Sequence, residues 1–221
     1  MSLKIQGFWV ERGCVEKVKN VQYNHQQGRS AMPSKKLLIC LMILGCANLF
    51  AAKRNRADIP KSNSESKVVA IEQPFALTPP KGWQYIKDRD QLPGKVALLF
   101  VGAGTTGQFT PSINLATEET ALSLDDYMSL AKQYHESQGE TRCTPLGPLD
   151  TQAGPAQLLQ IDRKTSWGDV RFIQASLVQA GQAYVITATC LHKDFNTYCS
   201  PFFQTIQSFT IFSENARPRT E

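Results

Sequence analysis

One apolar segment divides this chain and limits where it can fold. Lys35 and Lys36 are followed by Leu37-Leu38-Ile39-Cys40-Leu41-Met42-Ile43-Leu44-Gly45-Cys46. A membrane-spanning helix needs about 20 apolar residues, so this run is short for a span. Two lysines ahead of a short apolar stretch instead give the order of a secretory signal, whose cations stay on the cytoplasmic side while the apolar part enters the bilayer. Met32-Pro33-Ser34 opens such a signal in the ordinary way. Residues 1–31 precede it without a clear apolar period, despite Trp9 and Cys14. They are read as an overextended start or a disordered extension.

The end of the segment, Ile43-Leu44-Gly45-Cys46, resembles a bacterial lipobox. In such signals the Cys thiol takes a diacylglycerol and becomes the new amino terminus, and a small preceding residue gives the peptidase access. Leu44 is larger than the residue usual at its place. Residues 32–46 are thus expected to be a signal peptide with Cys46 lipidated. Cleavage near Ala51-Ala52 and an uncleaved Leu37–Phe50 anchor are the alternatives.

Charge supports this division. Of 24 basic and 19 acidic residues, seven and two precede Cys46, so the remaining 17 and 17 cancel. The net charge of +5 belongs to the leader, and the rest carries no basic footprint for nucleic acid. Residues 47–72, including Lys53-Arg54-Asn55-Arg56 and Ser62-Asn63-Ser64-Glu65-Ser66, are too polar to bury a core and read as a flexible tether. One globular domain is expected over residues 73–213, with a disordered tail at 214–221.

Within that domain, Phe75–Thr78 and Trp83–Ile86 suggest short strands separated by Pro79-Pro80-Lys81-Gly82. Val96–Val101 is a continuous apolar run, as expected of a strand covered on both faces, and Ser112–Thr117 alternates like its partner. Ser123 caps a helix over 124–137, with Asp126 completing a capping box and Gly139 stopping it. Leu124, Tyr127, Met128, Ala131 and Tyr134 share one face of this helix. Three strands then meander, Ala156–Lys164, Asp169–Gln179 and Ala183–Leu191, turning at Ser166-Trp167-Gly168 and Ala180-Gly181. Asp194–Ser208 reads as a bent helix pair, with Ser200 a second cap and Pro201 at the first helical position. The fold class is α+β, an antiparallel sheet flanked by helices in an αβα sandwich.

The order Phe75…Pro80-x-Gly82-Trp83, Ser112-Ile113-Asn114-Leu115 and Asp126-Tyr127 resembles the PsbP-like superfamily. So do Gln174-x-x-Leu177-Val178-x-x-Gly181-x-Ala183-Tyr184 and the closing Phe195…Phe202-Phe203-x-x-Ile206-x-Ser208-Phe209. That superfamily includes the photosystem II extrinsic protein, a Ran-binding nuclear import factor and DcrB-type bacterial periplasmic lipoproteins. The resemblance spans residues 73–212 and rests mostly on core and turn positions. It implies an antiparallel sheet between helical layers and a domain that binds or stabilises other proteins rather than catalysing a reaction. It transfers no binding residues.

Gly102-Ala103-Gly104-Thr105-Thr106-Gly107 has dinucleotide-fingerprint spacing. That fingerprint works only where a helix amino terminus meets the pyrophosphate. Here Gln108-Phe109-Thr110-Pro111 and a strand follow, so a hairpin loop is expected and no cofactor is assigned. His135 and His192 read as surface histidines. His192 near Asp194 is the seed of the alternative, enzymatic reading, but no Gly-x-Ser-x-Gly motif supplies a nucleophile. No HExxH, CxxC or EF-hand spacing assigns a metal. The acidic pairs Glu118-Glu119 and Asp125-Asp126 read as solvent-exposed or capping. Cys190 and Cys199 are candidates for a disulfide, another pairing or buried thiols. Trp83 reads as a core plug, and Trp167, at a hairpin tip, as a candidate partner contact. The expectation is an exported, lipid-anchored protein on the periplasmic side of a bacterial envelope, non-catalytic, binding an envelope protein and no nucleic acid.

Overall fold

The computed structural model describes residues 74–86, 92, 94–102 and 109–212, with short strands at 3–5, 8–10 and 69–70. Cys46, the signal, most of the tether, residues 103–108 of the glycine-rich loop and the tail 214–221 lie outside the described residues. Near the amino terminus β1 (Leu3–Ile5) and β2 (Phe8–Val10) pair as an antiparallel hairpin.

The main element is a seven-stranded, wholly antiparallel sheet. It comprises β5 (Gln84–Tyr85), β6 (Val96–Val101), β7 (Ser112–Glu119), β8 (Thr141–Thr151), β9 (Gly154–Thr165), β10 (Gly168–Gln179) and β11 (Gln182–Leu191). Their order across the sheet is β5-β6-β7-β11-β10-β9-β8. A smaller sheet joins β3 (Val69–Ala70), β4 (Phe75–Leu77) and β12 (Thr210–Ile211) in the order β12-β4-β3. Val69 and Ala70 thus pair with β4, and the folded unit reaches back into residues that composition assigns to the tether.

Side chains alternate across a strand, and the two faces of the sheet carry different cores. Leu98, Phe100, Ile113, Leu115, Ile173, Ala175, Ile186 and Ala188 meet α2 (Phe195–Gln207) through Phe195, Cys199, Phe202 and Ile206. The intervening residues Ala183 and Val185 meet Tyr127 of α1 (Leu124–Glu136) on the opposite face. This is the expected sheet with a helix on each side.

Ser123 Oγ accepts the Asp126 backbone N–H at 3.1 Å and starts α1. The Asp126 carboxylate closes the box on the Ser123 hydroxyl at 2.7 Å, rather than on a backbone donor. At the other end of the domain, Ser208 Oγ accepts the Thr78 N–H at 2.9 Å and donates to the Thr205 carbonyl at 2.7 Å. The Phe209 carbonyl accepts from Ala153 at 2.8 Å. The closing Ser-Phe pair therefore ties α2 to both the small sheet and the β8–β9 hairpin.

Two expectations change. Residues 195–207 form one helix with Pro201 inside it, not a capped pair. Ser200 Oγ accepts from Gln204 Nε2 at 3.3 Å instead of capping the backbone. The apolar face of α2 holds the helix continuous across a proline that costs one backbone hydrogen bond. Second, β8 is an eleven-residue strand that pattern reading omits. Pro145 and Pro148 hide it, yet β8 lies at the sheet edge with a register shift between Pro145 and Gly147, and edges and bulges are where strands tolerate proline.

Candidate functional site

The most developed polar arrangement lies where β9, β10 and the end of β11 meet α2. Arg171 and Asp162 are directly opposed across β10 and β9. Arg171 Nε donates to Asp162 Oδ1 at 2.7 Å and Nη2 to Oδ2 at 3.1 Å, a two-pronged pair. Gln160 Nε2 adds a third donor to the carboxylate at 2.8 Å. Burial works against the Asp162 charge, but the Arg171 hydrogen bonds and charge outweigh it and hold the carboxyl below its usual range. The guanidinium also sits 4.8 Å over the Phe195 ring at the start of α2.

His192 completes the arrangement from the 3-10 turn His192–Asp194. Its Nε2 lies 2.8 Å from Arg171 Nη2. A guanidinium only donates, so this contact assigns Nε2 as acceptor and the proton to Nδ1. Among the described residues no hydrogen bond joins His192 to Asp194. The His–Asp pair considered from sequence is replaced by an Asp162–Arg171–His192 chain, and His192 accepts from a permanent cation at the atom a general base would use. The arrangement ties the sheet to the start of α2.

The other singled-out residues are placed as follows. Trp83 meets Tyr198 and Phe202 edge-on, each at 6.1 Å, in the α2-side core. Trp167 is half-buried in the β9–β10 turn, its ring packed with Leu159, Ile161, Val170 and Phe172. Cys190 and Cys199 are both buried in the same core cluster. Burial pushes Cys190 up to about 12, away from reactivity. Cys143, half-buried on the other face, is likewise pushed up to about 11. Gly102 closes the β6–β7 connection, its N–H donating to the Pro111 carbonyl at 2.8 Å. A Cβ there would meet Pro111 Cγ at 2.8 Å, so this glycine serves the hairpin.

Two side chains read as exposed are buried. Glu118 is 4% exposed, accepting from Tyr127 Oη at 2.6 Å and Lys95 Nζ at 3.3 Å. His135 is fully buried because α1 packs across β8, β9 and β10, and β8 was the strand that pattern reading omits. Burial, and secondarily the Arg163 charge, lowers His135 to about 4. Gln174 leans the other way, approaching the ring without hydrogen-bond geometry. Sequence did hold a signal for this region: Gln174 and Ser176 are polar residues in a strand buried on both faces. Among the described residues no group of three His, Cys, Asp or Glu side chains comes together to hold a metal, and no helix is long and apolar enough to cross a membrane.

No family model and no curated protein sequence matches the chain. Solved structures do. LpqN of Mycobacterium tuberculosis, described as involved in cell envelope biogenesis, matches with a TM-score of 0.50 at 14% identity, over 73% of this chain and 99% of that one. Cyanobacterial PsbP of Synechocystis matches at 0.47 and 11% identity, over 72% of this chain and 100% of that one. The Ran-binding protein Mog1p of Saccharomyces cerevisiae matches at 0.48 and 16% identity, over 68% and 97%. These are likenesses of fold alone, and the α+β sandwich of this chain matches that of LpqN.

Proposed function

We propose that the chain is an exported, lipid-anchored envelope protein whose PsbP-like domain binds and stabilises an envelope protein partner without catalysing a reaction. The observation that carries this reading is the order Lys35-Lys36, Leu37–Gly45, Cys46 ahead of a polar stretch and one folded domain. A lipid on Cys46 would confine the domain to the membrane surface and raise its effective concentration towards a partner there. The non-catalytic part is supported by the Asp162–Arg171–His192 chain, in which the candidate base is already an acceptor, and by cysteines shifted away from the thiolate. Trp167, with part of its ring in solvent at a hairpin tip, is the proposed partner contact. In an oxidising envelope, Cys190 and Cys199 are the proposed disulfide partners.

Labelled fatty acid should enter the protein in cells and be lost in Cys46→Ala. Mass spectrometry of the mature amino terminus should begin at a modified Cys46. An unmodified leader on a protein free in the cytosol would refute the proposal. Trp167→Ala should weaken retention of the membrane partner without changing the fold.

A further inference from the structure

We propose that α1 is an acid-released latch: one proton on His135 detaches this helix from the sheet while the sheet and α2 stay folded. His135 stands in the last turn of α1 and is 0% exposed. Neither of its ring nitrogens has a hydrogen-bond partner among the described residues. A neutral imidazole can occupy such a place at the cost of its unmade hydrogen bonds. An imidazolium must reach water or an anion.

The helix is the element that yields because little holds it. Its buried side chains are Tyr127, Ala131 and His135: one ring, one methyl and the imidazole itself. On the other face α2 buries Phe195, Cys199, Phe202, Thr205 and Ile206. The sheet beneath α1 is also partly polar. Side chains alternate across a strand, so Gln174, Ser176 and Val178 of β10 share the α1 face. Val178 packs against the cluster of Tyr127, and Gln174 approaches His135, so Ser176 lies between these two contacts along β10. Gln174 Oε1 and Ser176 Oγ are buried without hydrogen-bond partners among the described residues. Thr187, opposite Gln174 on β11, is buried beside them. Uncovering these groups returns them to water, which offsets part of the cost of opening.

The groups that face His135 oppose a proton there. From β9, Arg163 brings a fixed cation. From β8, Cys143 is held as a neutral thiol. β10 turns Val170, Phe172, Gln174, Ser176 and Val178 to this face, none of them ionisable. On α1 itself Lys132 and Glu136 pair with each other, and Glu140 beyond the helix pairs with Lys164. At the far end of α1, Glu118 of β7 accepts from Tyr127 and Lys95. Burial and Arg163 thus both act against the imidazolium, and detachment relieves both. Release needs neither export nor a lipid anchor.

The test is native-state hydrogen exchange on the full chain in low urea, from pH 7 to 5, read as protection factors so that the intrinsic pH dependence of exchange drops out. A detached 13-residue helix is too short to persist in water, so the amides of α1 report its release. They should exchange more readily than those of β10 and β11, through an opening nearly independent of urea because it exposes little surface. His135 takes a proton near pH 6.5 when released and only at about 4 when covered, so the opening should become about twentyfold more frequent from pH 7 to 5. His135→Gln should abolish this response. Ala131→Gly, which weakens the helix without touching the imidazole, should raise opening about fivefold at both pH values and keep the response. Amides of α1 that share the protection and urea dependence of β10 would overturn the proposal, as would a pH response that survives in His135→Gln.

Discussion

Acid should destabilise this domain through one residue. His135 is fully buried and its pKa is lowered from 6.5 to about 4. Above pH 6.5 the imidazole is neutral whether the chain is folded or not. As pH falls from 6.5 to about 4, the unfolded chain takes up a proton that the folded one refuses, and stability declines. Below about 4 both states are protonated and the loss is complete. At 1.36 kcal/mol per pH unit the interval amounts to about 3 kcal/mol, a large share of the roughly 5–15 kcal/mol that holds a domain together. Urea unfolding at half-unit steps from pH 7 to 4 should show this decline in the native protein. His135→Gln, which keeps a polar group but does not titrate in this range, removes it, while carboxylate effects common to both proteins cancel. The difference in unfolding free energy between the two should change by about 3 kcal/mol across the interval. A difference that stays constant from pH 7 to 4 would refute the reasoning.

Asp162→Asn should cost about 2 kcal/mol at neutral pH, since it removes the charge from the Arg171 hydrogen bonds. Because the Asp162 pKa is depressed on folding, that deficit is present above the usual carboxylate range and should close as pH falls through the folded value; a deficit independent of pH would refute it. Phe202→Ala should cost about 3–5 kcal/mol by calorimetry, because the ring is 0% exposed between Trp83 and Tyr198; a loss within experimental scatter would refute it. Ala180 has φ +49° beside Gly181 at φ +74° in the β10–β11 turn, where asparagine tolerates the left-handed region better than alanine. Ala180→Asn should therefore stabilise the protein by about 1 kcal/mol, and an unchanged or lower melting temperature would refute it.

How much of this was legible beforehand depended on whether the signal was local. The apolar run Val96–Val101, the Ser123 cap, the Ala180-Gly181 turn and the β9–β10–β11 meander carry their own periodicity and turn chemistry, and they fold as read. Two hairpins also share a Thr-x-x-Gly device. Thr151 and Thr165 each donate to the carbonyl of the glycine three residues on, at 2.7 and 2.8 Å. The first of these turns would have revealed β8.

The chain by itself determined the α+β class, the neutrality of everything after Cys46, and the absence of a helix behind the glycine-rich loop. Those follow from residue type and spacing along one strand of covalent bonds. Only the tertiary structure decided that Pro145 and Pro148 lie on an edge strand, that Pro201 rides inside an intact helix, and that Glu118 and His135 are interior. Each of these depends on what covers a residue from elsewhere in the sequence. The burial of His135 depends on β8, β9 and β10, none of which its own helix periodicity can report.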